Sequence, residues 1–161
     1  MSEFPSFDLT GQVALVTGAA RGLGNAISKA LAHAGADIIL GLRDVKSGEQ
    51  LGREIEGLGR KVLKLQMDVT KLDQIDNAVK ASVAHFGKID ILVNNAGLGP
   101  ENLAENVTEA DFDLTVNINL KGTFFVSQAV GRQMIKQKHG KIINLGSQAG
   151  HAALPLSLIH I

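Results

Sequence analysis

The stretch Q12-V-A-L-V-T-G-A-A-R-G-L-G24 joins an apolar run to a turn that holds three glycines. Residues 12–17 have the length and the β-branched content of a buried strand. Gly18, Gly22 and Gly24 allow a tight turn and let a ligand approach the first turn of the helix that follows. Unpaired N–H groups and the helix dipole attract anions to that place. The stretch therefore predicts a strand, a phosphate-binding turn and a helix; a tight turn without a ligand is the alternative.

Four more apolar runs follow, and segments with helical periodicity separate them. The predicted strands are residues 12–17, 37–42, 61–67, 89–93 and 141–145. Most of them are continuous apolar runs, which are typical of strands covered on both faces. Strands that alternate with helices predict the α/β class, here a doubly wound parallel sheet with right-handed crossovers.

Four helices are predicted between the strands, and two of them have informative ends. The third begins at T70-K-L-D73, which has the spacing of a capping box, and ends at Gly87. The fourth runs from near Thr108 to Gly140 and is apolar on two sides. Both sides must be buried, so we expect one to pack on the sheet and the other on a partner subunit or on a further part of the chain.

The composition excludes several classes of protein. Lysine plus arginine and aspartate plus glutamate each total 16, so no basic excess indicates binding to nucleic acid or to a membrane surface. The chain has no cysteine, and its five histidines show no metal-ligand spacing. It also has no apolar run of membrane-spanning length and no signal peptide, so the predicted location is the cytoplasm.

Five motifs stand in the order and spacing of one enzyme family. They are T17-G-A-A-R-G-L-G24, D68-V-T70, N94-N-A-G97, V116-N-I-N-L-K-G122 and I143-N-L-G-S147. On these residues the chain resembles the short-chain dehydrogenase/reductase family from residue 8 to residue 150. Its opening, residues 7–18, is similar to the sugar-acid and polyol branch, such as gluconate 5-dehydrogenase and 2-dehydro-3-deoxygluconate dehydrogenase. The resemblance implies a Rossmann fold and an NAD(P)-dependent oxidoreductase that moves hydride between the nicotinamide and an alcohol or ketone.

The resemblance also implies which residues bind the cofactor. The glycine turn would wrap the pyrophosphate and the adenosine ribose, Asp68 and the Val69 backbone would meet the adenine, and N94-N-A-G97 would line the cofactor ribose. The implied cofactor-binding residues are Gly18, Arg21, Gly22, Leu23, Gly24, Arg43, Asp68, Val69, Asn95, Ala96 and Gly97. Two plainer interpretations stay open: Asp68 as a helix cap near Thr70, and N94-N-A-G97 as an ordinary turn.

The end of the second strand bears on the choice between NAD and NADP. NAD-preferring members of the family have an acidic residue there, and Leu42 takes that place in this chain. Arg43 follows it, and together with Arg21 it offers two guanidinium groups for a 2′-phosphate. The pattern favours NADP over NAD, although Asp44 is placed to neutralise Arg43 or to hold a ribose hydroxyl itself.

The resemblance implies two catalytic residues, Asn119 and Ser147. Asn119 shares a helix stripe with Val116 and Leu120, so we expect it to point inward. The family then implies that it loosens the helix and that its main-chain carbonyl holds a relay water. Ser147 would end the fifth strand and bond the substrate oxygen, and hydride transfer needs no serine nucleophile. A structural asparagine and a serine without a catalytic role are the alternatives.

The Tyr-x-x-x-Lys motif of the family is the part that this sequence does not carry. The sequence holds no tyrosine, and the position expected for it is His160. In the family that phenol moves a proton, with the lysine lowering its pKa. One frame of a transposon-adapter DNA would encode L156-S-L-I-H-I161. We therefore expect residues 1–155 to be an incomplete nucleotide-binding domain, residues 156–161 to be a non-native tail, and the chain to be inactive.

Further expectations concern the whole protein. The family implies a homo-tetramer or a homo-dimer that acts on a small molecule. The alternative to an enzyme is a non-catalytic NADP(H)-binding module, and an unstable fragment that binds nothing is a third interpretation. Helices missing from an incomplete domain would leave apolar surface exposed on the sheet and on the fourth helix.

Overall fold

The computed structural model describes residues 6–99 and 102–147, which form one parallel sheet with helices on both faces. The strands are β1 (Val13–Thr17), β2 (Asp37–Leu42), β3 (Val62–Gln66), β4 (Ile91–Asn94) and β5 (Lys141–Asn144). The α-helices are α1 (Gly22–His33), α2 (Glu49–Gly57), α3 (Leu72–Phe86), α4 (Glu109–Thr115) and α5 (Thr123–Gln137). A π-helical segment (Val116–Gly122) joins α4 to α5, and 3₁₀ turns cover Val45–Gly48 and Ala104–Asn106.

The strand order confirms the doubly wound α/β fold. The order is β3-β2-β1-β4-β5, and each neighbouring pair is parallel. All five predicted strands are present, and their bounds differ from the prediction by at most two residues. The predicted tail at residues 156–161 and the position of His160 lie outside the described residues.

The core has two layers, one on each face of the sheet. Val13 and Leu15 of β1 pack with residues of α3 and α5, whereas Ala14 and Val16 pack with residues of α1 and α2. All four side chains are at most 3% exposed. Because both faces are covered, successive residues of a strand are apolar, and the sequence shows continuous runs instead of alternation.

The predicted fourth helix is present as α4, the π segment and α5, which follow one another without a gap. Its buried side packs on α3 and the sheet through Val126, Val130 and Met134. Other apolar residues of this helix are exposed, namely Phe112, Leu114, Leu120, Phe124 and Ile135. β5 is exposed along its whole length as well. The expected exposed apolar surface is therefore observed on the outer strand β5 and on this helix.

The capping box predicted at the start of α3 is wrong, whereas the predicted start of α4 is confirmed. α3 begins without a side-chain cap, so the capping box predicted at T70-K-L-D73 is not formed. The Thr70 hydroxyl and N–H donate instead to Asp68 Oδ1, at 2.8 Å and 2.9 Å. A carboxylate two residues upstream closes a local turn of its own and takes the hydroxyl. A complete capping box does lie at the start of α4, where hydrogen bonds from Thr108 lower the pKa of Asp111.

Candidate functional site

The predicted site residues gather where the sheet changes its winding direction. β1 lies between β2 and β4, so the chain leaves β1 toward one side of the sheet and leaves β4 toward the other. In doubly wound sheets a crevice opens at such a point, outside the carboxyl ends of the strands. These ends are Thr17 and Asn94, which place the glycine turn beside the turn that follows β4.

The backbone of the turn after β1 requires glycine. Gly18 and Gly22 have φ of +63° and +56°, a left-handed region that glycine adopts without strain. At Gly24 the constraint is space, because a Cβ would lie 2.5 Å from the Gly18 carbonyl oxygen and 2.5 Å from Asn95 Nδ2. The turn is therefore folded tightly against the start of α1, as a phosphate-binding turn needs.

Asn95 ties the glycine turn to the end of β4. Its Nδ2 donates to the carbonyl oxygens of Thr17 and Gly18, at 2.9 Å and 3.2 Å. Thr17 Oγ1 accepts the N–H groups of Asn95 and Ala96, both at 3.0 Å. These bonds join segments that are 77 to 79 residues apart in the sequence. They fix the two walls of the crevice relative to each other.

The amino end of α1 is open to an anion. Its N-cap residue, Arg21, has an extended backbone and makes no side-chain capping bond, and the first turn holds no acidic residue. Arg21 and Gly22 are exposed, and Leu23 is 68% exposed. N–H groups without a cap, next to a guanidinium group, favour a phosphate at this position.

The end of β2 carries an exposed cation. Leu42 is buried, and Arg43 is exposed directly after it. Asp44 Oδ1 accepts the N–H of Lys46 and thereby caps the 3₁₀ turn. Within residues 6–99 and 102–147, no ion pair joins Asp44 to Arg43. The carboxylate that the sequence placed as a competitor for Arg43 is therefore engaged with the backbone.

Asp68 follows β3 and holds the turn that leads to α3. Oδ1 accepts two bonds from Thr70, and the Asp68 N–H donates to Gln74 Oε1 at 2.8 Å. Asp68 thus bonds locally to Thr70 but does not cap α3, which begins after Lys71 without a side-chain cap. Among the described residues, none donates a hydrogen bond to Asp68 Oδ2.

Asn119 lies in the π segment, and the prediction that it points inward is wrong. It is exposed, and its amide is engaged at both ends: Oδ1 accepts the Leu98 N–H at 3.0 Å, and Nδ2 donates to the Leu98 carbonyl oxygen at 2.6 Å. A π-helical turn is wider than an α-helical turn, so residues leave the stripe that an α-helical period predicts. The helix is thus loosened at this position, and Asn119 holds the turn after β4 against it.

A polar network around the buried Asn94 was not predicted from the sequence. Asn94, which is 4% exposed, donates through Nδ2 to Ser127 Oγ and to Asn144 Oδ1, each at 2.8 Å. The network joins β4, α5 and β5. Ser147 is exposed and lies beyond the last residue of β5, Asn144, whereas the sequence placed it at the strand end. The available signal was an asparagine at the end of both strands, since Asn94 and Asn144 are paired in register.

The predicted cofactor-binding residues and Ser147 thus lie at the carboxyl ends of the strands. Residues 18–24 follow β1, Arg43 follows β2, Asp68 and Val69 follow β3, residues 95–97 follow β4, and Ser147 follows β5. In the part of the chain that the structure describes, no cluster of histidines and carboxylates could hold a metal ion. No helix of that part has the length and apolarity needed to cross a membrane. The arrangement suits an extended ligand that places a phosphate near α1.

Two proteins of known activity are similar to this chain over most of its length. A 3-oxoacyl-[acyl-carrier-protein] reductase from Thermotoga maritima is 43% identical over 142 residues, which are 88% of this chain and 58% of that relative. A 2-dehydro-3-deoxy-D-gluconate 5-dehydrogenase from Escherichia coli is 44% identical over 143 residues, which are 88% of this chain and 56% of that relative. The chain therefore spans less than three fifths of each of these relatives.

A solved structure and a family model agree with the two relatives. The crystal structure of a gluconate 5-dehydrogenase from Burkholderia cenocepacia, in complex with NADP and tartrate, is 36% identical and has a TM-score of 0.89. The match covers 96% of this chain and 61% of that one. The family model of the short chain dehydrogenases matches residues 12–158, a range that includes all five motifs. The chain belongs to the short-chain dehydrogenase family.

Proposed function

We propose that this chain forms the nucleotide-binding part of an NAD(P)-dependent oxidoreductase that interconverts an alcohol and a ketone. The observation that carries the proposal is the glycine turn, which Asn95 holds beside the uncapped amino end of α1. A Cβ at Gly24 would fill the inside of this turn, and closely folded backbone of this kind is what cradles a pyrophosphate. When bound, the nicotinamide nucleotide supplies or accepts the hydride.

We infer that the nucleotide is NADP in preference to NAD. Arg43 is exposed after a buried leucine, and the neighbouring Asp44 caps the backbone. Arg21, at the N-cap of α1, is a second exposed guanidinium group. Guanidinium groups bind phosphates through charge-assisted, often paired hydrogen bonds. The presence of NADP in the gluconate 5-dehydrogenase from Burkholderia cenocepacia supports the same choice.

Replacing Arg43 with alanine is expected to weaken NADPH binding about 10- to 100-fold, because charge-assisted bonds to the 2′-phosphate are lost. NADH carries a hydroxyl group in place of this phosphate, so its affinity should stay unchanged. Calorimetric titration of the 161-residue chain with each nucleotide measures both affinities. Arg53→Ala, which removes an exposed arginine of α2, is the matched control and should change neither affinity.

Different outcomes of this titration test different parts of the proposal. If neither nucleotide binds to the unaltered chain, the nucleotide-binding function is wrong. If NADH binds more tightly than NADPH, or if Arg43→Ala weakens both equally, the preference for NADP is wrong and nucleotide binding stands.

On the substrate side, the proposal gives roles to two residues. The Ser147 hydroxyl would orient the carbonyl or hydroxyl oxygen of the substrate, and the main-chain carbonyl of Asn119 would hold a water that relays a proton. Relatives named as dehydrogenases of gluconate, of 2-dehydro-3-deoxygluconate and of threitol support a sugar acid or a polyol as the substrate. The cytoplasmic location and the homo-oligomeric state of the whole protein stay predictions.

For the 161-residue chain itself, we propose binding of the nucleotide without turnover. The sequence contains no tyrosine, so the residue that moves the proton in the family is not among its residues. The absorbance of NADPH should therefore stay constant when the chain and a keto sugar acid are added. A decrease that requires both the chain and the keto acid would show that another residue supplies the proton. The missing tyrosine also favours the second candidate function, a non-catalytic NADP(H)-binding module.

A further inference from the structure

Gly122 lies at the joint between the π segment and α5, and it is buried. A Cβ on Gly122 would lie 2.8 Å from Val69 Cγ2, 3.0 Å from Val69 Cβ and 3.1 Å from the Val69 carbonyl oxygen. Non-bonded carbon atoms have their best contacts at about 3.5 to 4.0 Å, so these distances are repulsive. The helix therefore fits against Val69 because residue 122 has no side chain.

The backbone of Gly122 gives no other reason for glycine. Its φ of −59° and ψ of −51° are ordinary α-helical values, which every L-residue adopts. Alanine is a better helix former than glycine at such a position. The constraint at residue 122 is thus the contact with Val69, and an alanine variant tests this contact without backbone strain.

Val69 is coupled to Asp68 through a closely bonded turn. Val69 is 8% exposed and packs into the core layer that contains α3 and α5. On one side of it, the Asp68 N–H donates to Gln74; on the other, Thr70 donates through its N–H and hydroxyl to the Asp68 carboxylate. Because packed cores transmit strain, a displaced Val69 moves the Asp68 carboxylate as well.

We propose that Gly122 is a positioning residue for the adenine end of the nucleotide site. By lacking a side chain, it lets Val69 and Asp68 lie where they meet the adenine ring and its amino group. This role rests on the proposed nucleotide-binding function. Gly122 would act through its contact with Val69. The π segment then supports the site twice, at Leu98 through Asn119 and at Val69 through Gly122.

Gly122→Ala tests the proposal, with Gly131→Ala as the matched control. Gly131 is also a helical glycine of α5, and a Cβ there would meet no atom within 4 Å. The probe is 2′,5′-ADP, which carries the adenine and the 2′-phosphate without the nicotinamide. In calorimetric titration of the 161-residue chain, we expect its dissociation constant to rise about tenfold in Gly122→Ala and to stay within about twofold in Gly131→Ala.

The choice of titration temperature and a second substitution separate a positioning role of Gly122 from a role in folding. Each titration is made at a temperature at which circular dichroism shows the variant fully folded. A residue that matters for folding alone would then leave the affinity for 2′,5′-ADP unchanged. Val69→Ala removes the Cγ2 atom that the new methyl group would meet at 2.8 Å; the Val69 Cβ and carbonyl oxygen remain at 3.0 Å and 3.1 Å, where a shift of a few tenths of an ångström relieves the contact. The double variant Gly122→Ala/Val69→Ala should therefore bind 2′,5′-ADP within about threefold of Val69→Ala. If Gly122→Ala does not fold, this comparison decides, and a folded double variant that binds about tenfold more weakly overturns the proposal.

The outcomes also distinguish this proposal from the one on which it rests. If the unaltered chain does not bind 2′,5′-ADP, the nucleotide-binding function is wrong and the positioning role falls with it. If the unaltered chain binds the probe and folded Gly122→Ala binds it equally well, nucleotide binding stands and the positioning role is overturned.

Discussion

Alanine in place of Gly24 is expected to weaken nucleotide binding about 100-fold while the sheet stays folded. The new Cβ would lie 2.5 Å from the Gly18 carbonyl oxygen and 2.5 Å from Asn95 Nδ2, so the turn and the Asn95 amide must move apart. The loss of two hydrogen bonds to a phosphate, each of about 1.5 kcal/mol, weakens binding about 100-fold. Overpacking should also lower the free energy of unfolding by about 1 to 3 kcal/mol. Calorimetric titration with NADPH and urea unfolding measure the two effects.

Gly57→Ala is the matched control for Gly24→Ala. Gly57 ends α2, and a Cβ there would meet no atom within 4 Å. This variant should keep the affinity for NADPH and gain a little stability, because alanine restricts the unfolded chain more than glycine does. A folded Gly24→Ala chain that binds NADPH as tightly as the unaltered chain would show that the nucleotide does not use this turn.

The sheet could be predicted from the sequence because its central strands, β1, β2 and β4, are buried on both faces. Ile38, Ile39 and Leu40 of β2 are all 0% exposed, although successive side chains point to opposite faces. A continuous apolar run is the pattern that such burial leaves in a sequence. β5 has the same pattern at Ile142 and Ile143, yet both are exposed among the described residues. The apolar run of β5 is thus the pattern of a strand covered on both faces, although β5 itself is exposed.

The two wrong predictions, an inward Asn119 and a capping box at Thr70, both assumed an ideal helix, and a local feature of the chain changes each one. Periodicity assigns Asn119 to an inward stripe, but the π segment changes the phase of the helix at that residue. Spacing assigns Thr70 to a capping box, but Asp68 takes its hydroxyl first. Counting residues along an ideal helix registers neither effect.

The type of residue that holds the candidate site together could be predicted from the sequence, but its hydrogen-bond partner could not. Asparagine at a strand end indicates a side chain that bonds the neighbouring backbone. Its partner depends on which strands are neighbours: Asn95 meets Thr17 because β4 lies beside β1, and Asn94 meets Asn144 because β5 lies beside β4. Strand order is a property of the whole fold, so one stretch of sequence does not determine these pairs.

The same strand order places a buried carboxylate at the opposite edge of the sheet, near the amino ends of the strands. The Asp90 side chain is 5% exposed, and its Oδ2 accepts the Val13 N–H at 2.9 Å and pairs with Lys88 Nζ at 2.9 Å. The Asp90 N–H donates to the Val13 carbonyl oxygen, and its own carbonyl oxygen accepts the Lys141 N–H. One residue therefore joins the starts of β1, β4 and β5.

Replacing Asp90 with alanine is expected to lower the free energy of unfolding by about 2 to 3 kcal/mol, because a buried N–H and an ammonium group lose a charged acceptor. Asp90→Asn should cost less, since its amide oxygen can still accept the Val13 N–H. Asp76→Ala, which removes an exposed carboxylate of α3, is the control and should change the free energy by less than about 0.5 kcal/mol in urea unfolding. Folded Asp90→Ala should keep its affinity for NADPH, because Asp90 lies at the edge of the sheet opposite the glycine turn. An affinity loss as large as that of Gly24→Ala would show that the two edges are coupled through the strands.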